Sequence, residues 1–92
     1  MQVTIVIPTY KRPAYLDRLL ECIDKQTFDD IEVIIVDDNS PNTEEYEVVR
    51  KKYENKFHNF LFIRNKKHRG ACYSRNVGIK RSKNNLIAFI LI

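Results

Sequence analysis

The stretch IEVIIVDDNS, residues 31–40, decides the fold. Five of its first six residues are apolar, and all five are β-branched. Such a run is typical of a strand buried on both faces, which in a small protein favours a parallel sheet covered by helices. Asp37 and Asp38 follow at the carboxyl end of the strand, where open α/β sheets bind ligands. From this stretch alone, ligand binding and simple loop capping stay equally open as roles for the two carboxylates.

The segments on either side alternate between strand and helix patterns. Strands are predicted at residues 2–7, 31–37, 60–63 and 86–92, with Pro8 closing the first because proline cannot continue a central strand. Helices are predicted from Pro13 to residues 26–27, from residues 40–42 onward, and over residues 71–83. This alternation predicts parallel strands joined by right-handed crossovers, in the order 3-2-1-4. The expected fold is therefore a Rossmann-like, three-layer α/β sandwich of four parallel strands and three helices.

Three local features of the helices carry further predictions. Residues 42–45 have the spacing of a capping box that begins at Asn42. Gly78 interrupts the third helix and costs about 1 kcal/mol relative to alanine. The inner face of the second helix is interpreted as core and nothing more; its residues are Tyr46, Val49, Tyr53 and Phe57.

Length and composition indicate one small soluble domain, residues 1–92. Apolar residues make up 43% and charged residues 30% of the chain, which excludes a disordered protein. With no leader-like or membrane-spanning segment in the sequence, a cytoplasmic location is expected. Cys22 and Cys72 lie far apart and are interpreted as helix-face thiols in a reducing compartment. His58 and His68 have no neighbours at ligand spacing, so no metal site is predicted in this chain.

Two loops are candidate binding elements. Pro8, Thr9 and Tyr10 follow the first strand and are expected to lie beside Asp37 and Asp38, where an aromatic ring and a carboxylate could hold a nucleoside. The loop has neither GxGxxG nor a P-loop, which argues against dinucleotide binding. A second, basic loop ends at Gly70, which permits a tight turn ahead of a helix. Its cations could face phosphates at the helix N-terminus, although a solvated loop with a helix cap is the alternative.

Three blocks of sequence together resemble the family 2 inverting glycosyltransferases with the GT-A fold. The blocks are VTIVIPTYKR, IEVIIVDDNS and RNKKHRGACYSRNVGIKRSKNNLIAFI, in that order and at fitting spacing. The resemblance implies that the chain is the N-terminal, nucleotide-sugar-binding half of that fold. It also implies a nucleotide diphosphate-sugar donor and Mn²⁺ or Mg²⁺ in the full-length parent.

The resemblance assigns roles residue by residue. Asp37 would contact the base, and Asp38 would lie near the ribose or the loop; Ser40 belongs to the same turn. Arg75 would order the donor site, and Asn76 would pack the helix. The implied donor-binding residues are Pro8, Thr9, Tyr10, Arg12, Asp37, Asp38, Gly70 and Arg75.

The sequence departs from the family at its end. The acidic Asp-x-Asp motif that holds the metal would follow LIAFI, where Ile90, Leu91 and Ile92 stand instead. No residue can be assigned as the catalytic base, so we expect a truncated domain that is inactive alone and holds no metal firmly. The apolar residues 86–92 are expected to form an exposed edge strand, with a homodimer through that edge as a consequence.

Two other functions stay open. One is a non-catalytic nucleotide-binding module, which fits the missing acidic motif. The other is a nucleic-acid-binding module built on the basic clusters at residues 66–69 and 80–83. Because aromatic residues do not interleave these clusters, we expect no nucleic-acid partner. Association of the parent with a membrane surface is also an expectation.

Overall fold

A computed structural model describes residues 3–26, 30–90 and 92 of the chain. Within them, strands and helices alternate as the sequence predicts. The elements are β1 (Val3–Thr9), α1 (Pro13–Asp24), β2 (Ile31–Asp37), α2 (Thr43–Tyr53), β3 (Asn59–Arg64), α3 (Ala71–Arg81) and β4 (Ile87–Phe89). Residues 2, 27 and 91, which the predicted bounds of the first strand, first helix and last strand include, lie outside the described residues.

The four strands form one parallel sheet in the order β3-β2-β1-β4, which confirms the predicted topology. β2 is buried at all seven positions because it is apolar on both faces. Val33 and Ile35 belong to a core shared with α1 and α2, whereas Ile34 and Val36 belong to a second core beside α3. The molecule therefore has three layers, with α1 and α2 on one face of the sheet and α3 on the other.

The prediction that Pro8 closes the first strand is wrong, because Pro8 lies inside that strand. β1 continues to Thr9, with Pro8 paired to Val36 of β2. The Val6 carbonyl accepts a hydrogen bond from the Ile90 N–H on the side of β1 that faces β4. Pro8 lies two residues further along β1, so its backbone faces β4 as well, but proline has no N–H to donate. The ladder with β4 stops there, which explains why β4 spans three residues rather than the predicted seven.

Gly78 does not interrupt α3, contrary to the prediction. The helix runs without a break over its 11 residues, and Gly78 is buried against Val6 of β1. A Cβ at this position would clash with Val6 Cγ1. The glycine therefore allows α3 to approach the sheet closely.

The predicted capping box at Asn42 is wrong. The helix begins at Thr43, and Asn42 makes no side-chain capping hydrogen bond. Asn42 Oδ1 is buried without a partner within the described structure. Its backbone (φ −86°, ψ 62°) lies outside the extended region that a capping residue normally adopts, which explains the missing bond.

Buried polar groups tie the connection after α3 to the amino ends of the strands. Glu32 Oε1 accepts hydrogen bonds from Thr4 Oγ1 at 2.7 Å and from the Lys83 backbone N–H at 2.9 Å. Ser82 Oγ donates to the same Thr4 hydroxyl at 2.7 Å. These bonds position β4 from the end of the sheet opposite the candidate site.

Candidate functional site

The carboxyl ends of the strands form the candidate site. Thr9, Asp37 and Arg64 stand side by side in the register of β1, β2 and β3. A cavity of about 110 Å³ opens at this edge. It is lined by Pro8, Thr9, Tyr10, Asp38, His68, Gly70, Ala71, Ser74 and Ile92. A larger cavity of about 310 Å³ lies beside Ile31 and His58 at the amino ends of the strands, the end where open α/β sheets do not bind ligands.

Asp38 holds the basic loop that borders the cavity. One carboxylate oxygen accepts from Asn65 Nδ2 at 2.9 Å and from the Arg69 N–H at 2.8 Å. The other accepts from the Gly70 N–H at 2.7 Å and lies 2.9 Å from His68 Nδ1. Three hydrogen-bond donors and the His68 imidazole thus converge on one buried side chain, and the loop is folded around a carboxylate.

The pKa of Asp38 follows from these contacts. Burial raises the pKa of the carboxyl, but the hydrogen bonds and the charge of the nearby imidazole outweigh that effect, so the pKa lies below its ordinary value of 3.8. A lowered pKa in the folded state stabilises the protein above the unfolded value, and that stabilisation is lost as pH falls through the folded value.

We therefore predict that the stability difference between wild type and Asp38→Asn depends on pH. The difference should shrink as pH falls below 3.8, because only the wild type loses the charged carboxylate. Denaturant unfolding of both proteins from about pH 5 to about pH 2.5 measures it. Asp17, whose pKa is also lowered, titrates in both proteins and cancels from the difference. A difference that stays constant over the whole acidic range would contradict the prediction.

Asp37 is adjacent in sequence but points elsewhere. It is completely buried, and Ser40 donates to its Oδ1 through both the backbone N–H and the hydroxyl. Arg64 donates to the other oxygen, Oδ2, at 2.6 Å and also to the carbonyl of Ser40 at 2.7 Å. Asp37 thus fastens the turn after β2 to the end of β3, and it does not line the cavity.

Tyr10 and Gly70, two of the predicted donor-binding residues, line the cavity. The Tyr10 ring lies 4.3 Å from the His68 ring, centroid to centroid, with the planes inclined by 42°. Gly70 has a φ of +94°, which confirms the predicted tight turn, because L side chains rarely adopt that conformation. α3 begins directly after it, so the N-terminus of that helix borders the cavity at Ala71 and Ser74.

The other predicted residues lie outside the cavity. Arg12 is exposed at the start of α1, with its guanidinium over the Tyr15 ring. Arg75 is half-buried on α3 over the Phe89 ring. Asn76 is exposed and does not pack the helix, so that prediction is wrong; Ser74 and Gly78 are the buried positions of α3.

Two residues of the site are not evident from sequence. His68 stands out in the sequence only as a member of the basic cluster at residues 66–69, without metal-ligand spacing, and Asn65 does not stand out at all. Asn65 bridges Asp38 and the buried hydroxyl of Ser74, with 2.9 Å to each. A polar residue directly after a strand is the available signal for Asn65.

The two cysteines lie away from the site. Cys22 and Cys72 are free and exposed on α1 and α3, as the helix-face interpretation predicts.

Comparison with known proteins identifies the family. The family model for "Glycosyl transferase family 2" matches residues 4–90. The chain belongs to glycosyl transferase family 2. This confirms the resemblance and accounts for the arrangement of β1, β2 and the basic loop.

Similar proteins are longer than this chain. An uncharacterized glycosyltransferase of Haemophilus influenzae is 40% identical over 87 residues, which are 95% of this chain and 28% of that protein. The minor teichoic acid biosynthesis protein GgaB of Bacillus subtilis is 32% identical, over 95% of this chain and 10% of GgaB. The chain therefore spans less than a third of the length of these relatives.

Solved structures share the fold. S. aureus TarS 1–349 in complex with UDP-GlcNAc superposes with a TM-score of 0.87 and 30% identity, over 99% of this chain and 26% of TarS 1–349. A mannosyltransferase of Pyrobaculum calidifontis, in complex with GDP-Man and Mn²⁺, has a TM-score of 0.81 at 18% identity, over 94% of this chain and 26% of its own. The predicted GT-A fold is thus confirmed for the described residues. None of the described helices is long and apolar enough to cross a membrane.

Proposed function

We propose that this chain supplies the donor-nucleotide-binding part of a glycosyltransferase, which transfers a sugar from a nucleotide diphosphate-sugar to an acceptor in the longer protein. The observation that carries the proposal is the cavity at the carboxyl ends of β1 and β2 in a member of glycosyl transferase family 2. It combines an aromatic side chain, a carboxylate and a helix N-terminus. These three features suit a base, a ribose and a diphosphate, respectively.

Within this proposal, Tyr10 offers its ring to the base and the first turn of α3 faces the diphosphate. Asp38 lines the cavity whereas Asp37 does not, so the geometry favours Asp38 over Asp37 as the carboxylate beside the nucleoside. All four contacts of the Asp38 carboxylate come from the loop of residues 65–70. The His68 side chain is exposed, with 57% of it accessible, and its contact is the one that a ligand N–H would replace.

We further propose a uracil nucleotide as the first donor class to test. The support is TarS, whose structure was determined with UDP-GlcNAc and which is 30% identical to this chain. A cytoplasmic location, a membrane-surface association and a homodimer through residues 86–92 stay proposals.

The divalent cation that the family resemblance implies is proposed for the longer protein. Within residues 3–26, 30–90 and 92, no three His, Cys, Asp or Glu side chains are grouped as metal ligands. These residues do not fit a metal centre, so no step is assigned through one.

Calorimetric titration with UDP, GDP, TDP and CDP, with and without Mn²⁺, tests the proposal. We predict that one diphosphate binds and that Tyr10→Ala raises its Kd by roughly 5- to 150-fold, because base–aromatic stacking contributes about 1–3 kcal/mol. Tyr73→Ala is the matched control. Like Tyr10 beside Lys11, Tyr73 contacts a cationic side chain, Arg69, but it lies outside the cavity. Absence of binding by the wild type at millimolar nucleotide would contradict the proposal.

A further inference from the structure

We propose that Tyr46 is a positioning residue for the donor nucleotide and acts through the loop that carries Tyr10. This inference rests on the proposed function. Tyr46 lies on α2 and is 2% exposed, and its hydroxyl does not line the cavity. The hydroxyl lies 2.7 Å from Thr9 Oγ1 in a hydrogen bond that either group can donate, and it accepts from the Arg12 N–H at 3.0 Å. One phenol thus contacts the chain on both sides of Tyr10.

The loop between β1 and α1 has few other ways to hold its shape. Its three residues are Tyr10, Lys11 and Arg12, and Lys11 has a φ of +55°, a conformation that non-glycine residues seldom adopt. The Lys11 N–H donates to Ser40 Oγ at 2.8 Å, and Arg12, which precedes α1, makes no side-chain capping bond. The backbone donors of Lys11 and Arg12 are therefore satisfied by side chains from residues 40–46. Those two contacts hold the left-handed turn that presents Tyr10.

The hydroxyl and the ring of Tyr46 have separable roles. The ring fills the core beneath the sheet, 6.0 Å from the Phe62 ring, and phenylalanine would fill the same space. Removing the hydroxyl leaves the Arg12 N–H without its acceptor and frees the Thr9 side chain. The loop then populates conformations in which Tyr10 is displaced. Only molecules with Tyr10 in place bind the nucleotide, so the apparent affinity for the nucleotide falls in proportion to their fraction.

Tyr53 provides a matched control on the same helix. The Tyr53 side chain is fully buried as well. Its hydroxyl donates a hydrogen bond to the backbone carbonyl of Asp17 in α1, at 3.1 Å. That bond lies outside the β1–α1 loop and the cavity. Tyr53→Phe therefore removes a buried hydroxyl of equal kind without touching the loop.

The experiment measures the Kd of the diphosphate that binds the wild type, UDP being the first probe, together with thermal unfolding. We expect Tyr46→Phe to raise the Kd about tenfold, which corresponds to about 1.4 kcal/mol, while Tyr53→Phe leaves it within about twofold. Both variants should lower the Tm, Tyr46→Phe more than Tyr53→Phe, because the Tyr46 hydroxyl makes two hydrogen bonds and the Tyr53 hydroxyl makes one. Because Tyr46 is proposed to act through Tyr10, Tyr46→Phe should add little to the Kd of a Tyr10→Ala protein.

Three outcomes would overturn the inference. The first is an unchanged Kd for Tyr46→Phe while Tyr10→Ala weakens binding, which leaves the proposed function standing. The second is an equal rise in Kd for both phenylalanine variants, and the third is full additivity with Tyr10→Ala. Failure of the wild type to bind any of the four diphosphates overturns the proposed function and this inference with it.

Discussion

Asp38→Asn is expected to lower the free energy of unfolding at pH 7 by about 3 kcal/mol and to abolish nucleotide binding. The wild-type carboxylate accepts from the backbone N–H groups of Arg69 and Gly70 and from the Asn65 side chain, and it lies 2.9 Å from His68 Nδ1. Hydrogen bonds to a charged group contribute about 1.5–3 kcal/mol each, and a buried donor left unpaired costs about 1–3 kcal/mol. An asparagine side chain has one acceptor oxygen instead of two. Its NH₂ group would take the place of the other oxygen and would face N–H groups that need an acceptor. The loop of residues 65–70 therefore loses the carboxylate on which its hydrogen bonds converge.

Denaturant unfolding and UDP titration of the Asp38→Asn protein measure these two effects. Asp24→Asn is the matched control, since Asp24 is an exposed carboxylate whose nearest cation, Lys56 Nζ, is 3.9 Å away. It should change the free energy of unfolding by less than about 0.5 kcal/mol. An Asp38→Asn protein as stable as wild type would show that the loop keeps its shape without the charge, and would contradict the role of Asp38 as the centre of that loop.

The sheet was predictable because its signals are local and its topology is constrained by chirality. β2 begins and ends where the apolar run predicts, at Ile31 and Asp37, since a strand buried on both faces has no polar alternation to blur its limits. Right-handed crossovers then leave few strand orders for a β-α-β-α-β-α-β pattern. The predicted length of β4 was too great because the strand ends opposite a proline of the neighbouring strand, Pro8. The residues of β4 themselves give no sign of that proline.

The organisation of the site was predictable only in outline. Adjacent side chains at the end of a strand point to different sides, as those of Asp37 and Asp38 do. Which of them faces the cavity depends on Arg64 and Asn65, 27 residues further along the chain, which Asp37 and Asp38 respectively bind.

The role of Tyr46 also lay beyond the reach of the sequence. Helical periodicity could not distinguish Tyr46 from Tyr53, because both are inner-face residues of α2. The difference lies in what each hydroxyl meets on another element. The structure confirms that Tyr46 is a core residue, and its hydroxyl in addition contacts Thr9 and Arg12, which the sequence did not indicate.

Gly78→Ala is expected to destabilise the protein by up to about 2 kcal/mol, although alanine is the better helix former. The new methyl group would clash with Val6 Cγ1 and lie 3.1 Å from Val6 Cγ2. Val6 is completely buried in β1, which is paired on both sides, by β2 and β4, so the strand cannot move away. Overpacking of this kind costs about 1–3 kcal/mol and exceeds the gain of about 1 kcal/mol in helix propensity.

A double-mutant cycle with Val6→Ala isolates this contact by denaturant unfolding. Val6→Ala alone should destabilise the protein through the cavity it leaves. In the Val6→Ala background the two Cγ atoms are gone, so Gly78→Ala should cost nothing or stabilise, and the two changes should be non-additive by about 1–3 kcal/mol. Asn76→Ala, at an exposed position of the same helix, should be neutral or slightly stabilising and shows that α3 accepts alanine.

The outcome of the cycle also bears on the site. Additive effects would mean that α3 can shift on the sheet. Because Ser74 is the other buried position of α3 and lines the cavity, such a shift would displace the N-terminus of α3 as well. A non-additive cycle would instead show that Gly78 sets the distance between α3 and the sheet, and with it the place of the helix N-terminus at the cavity.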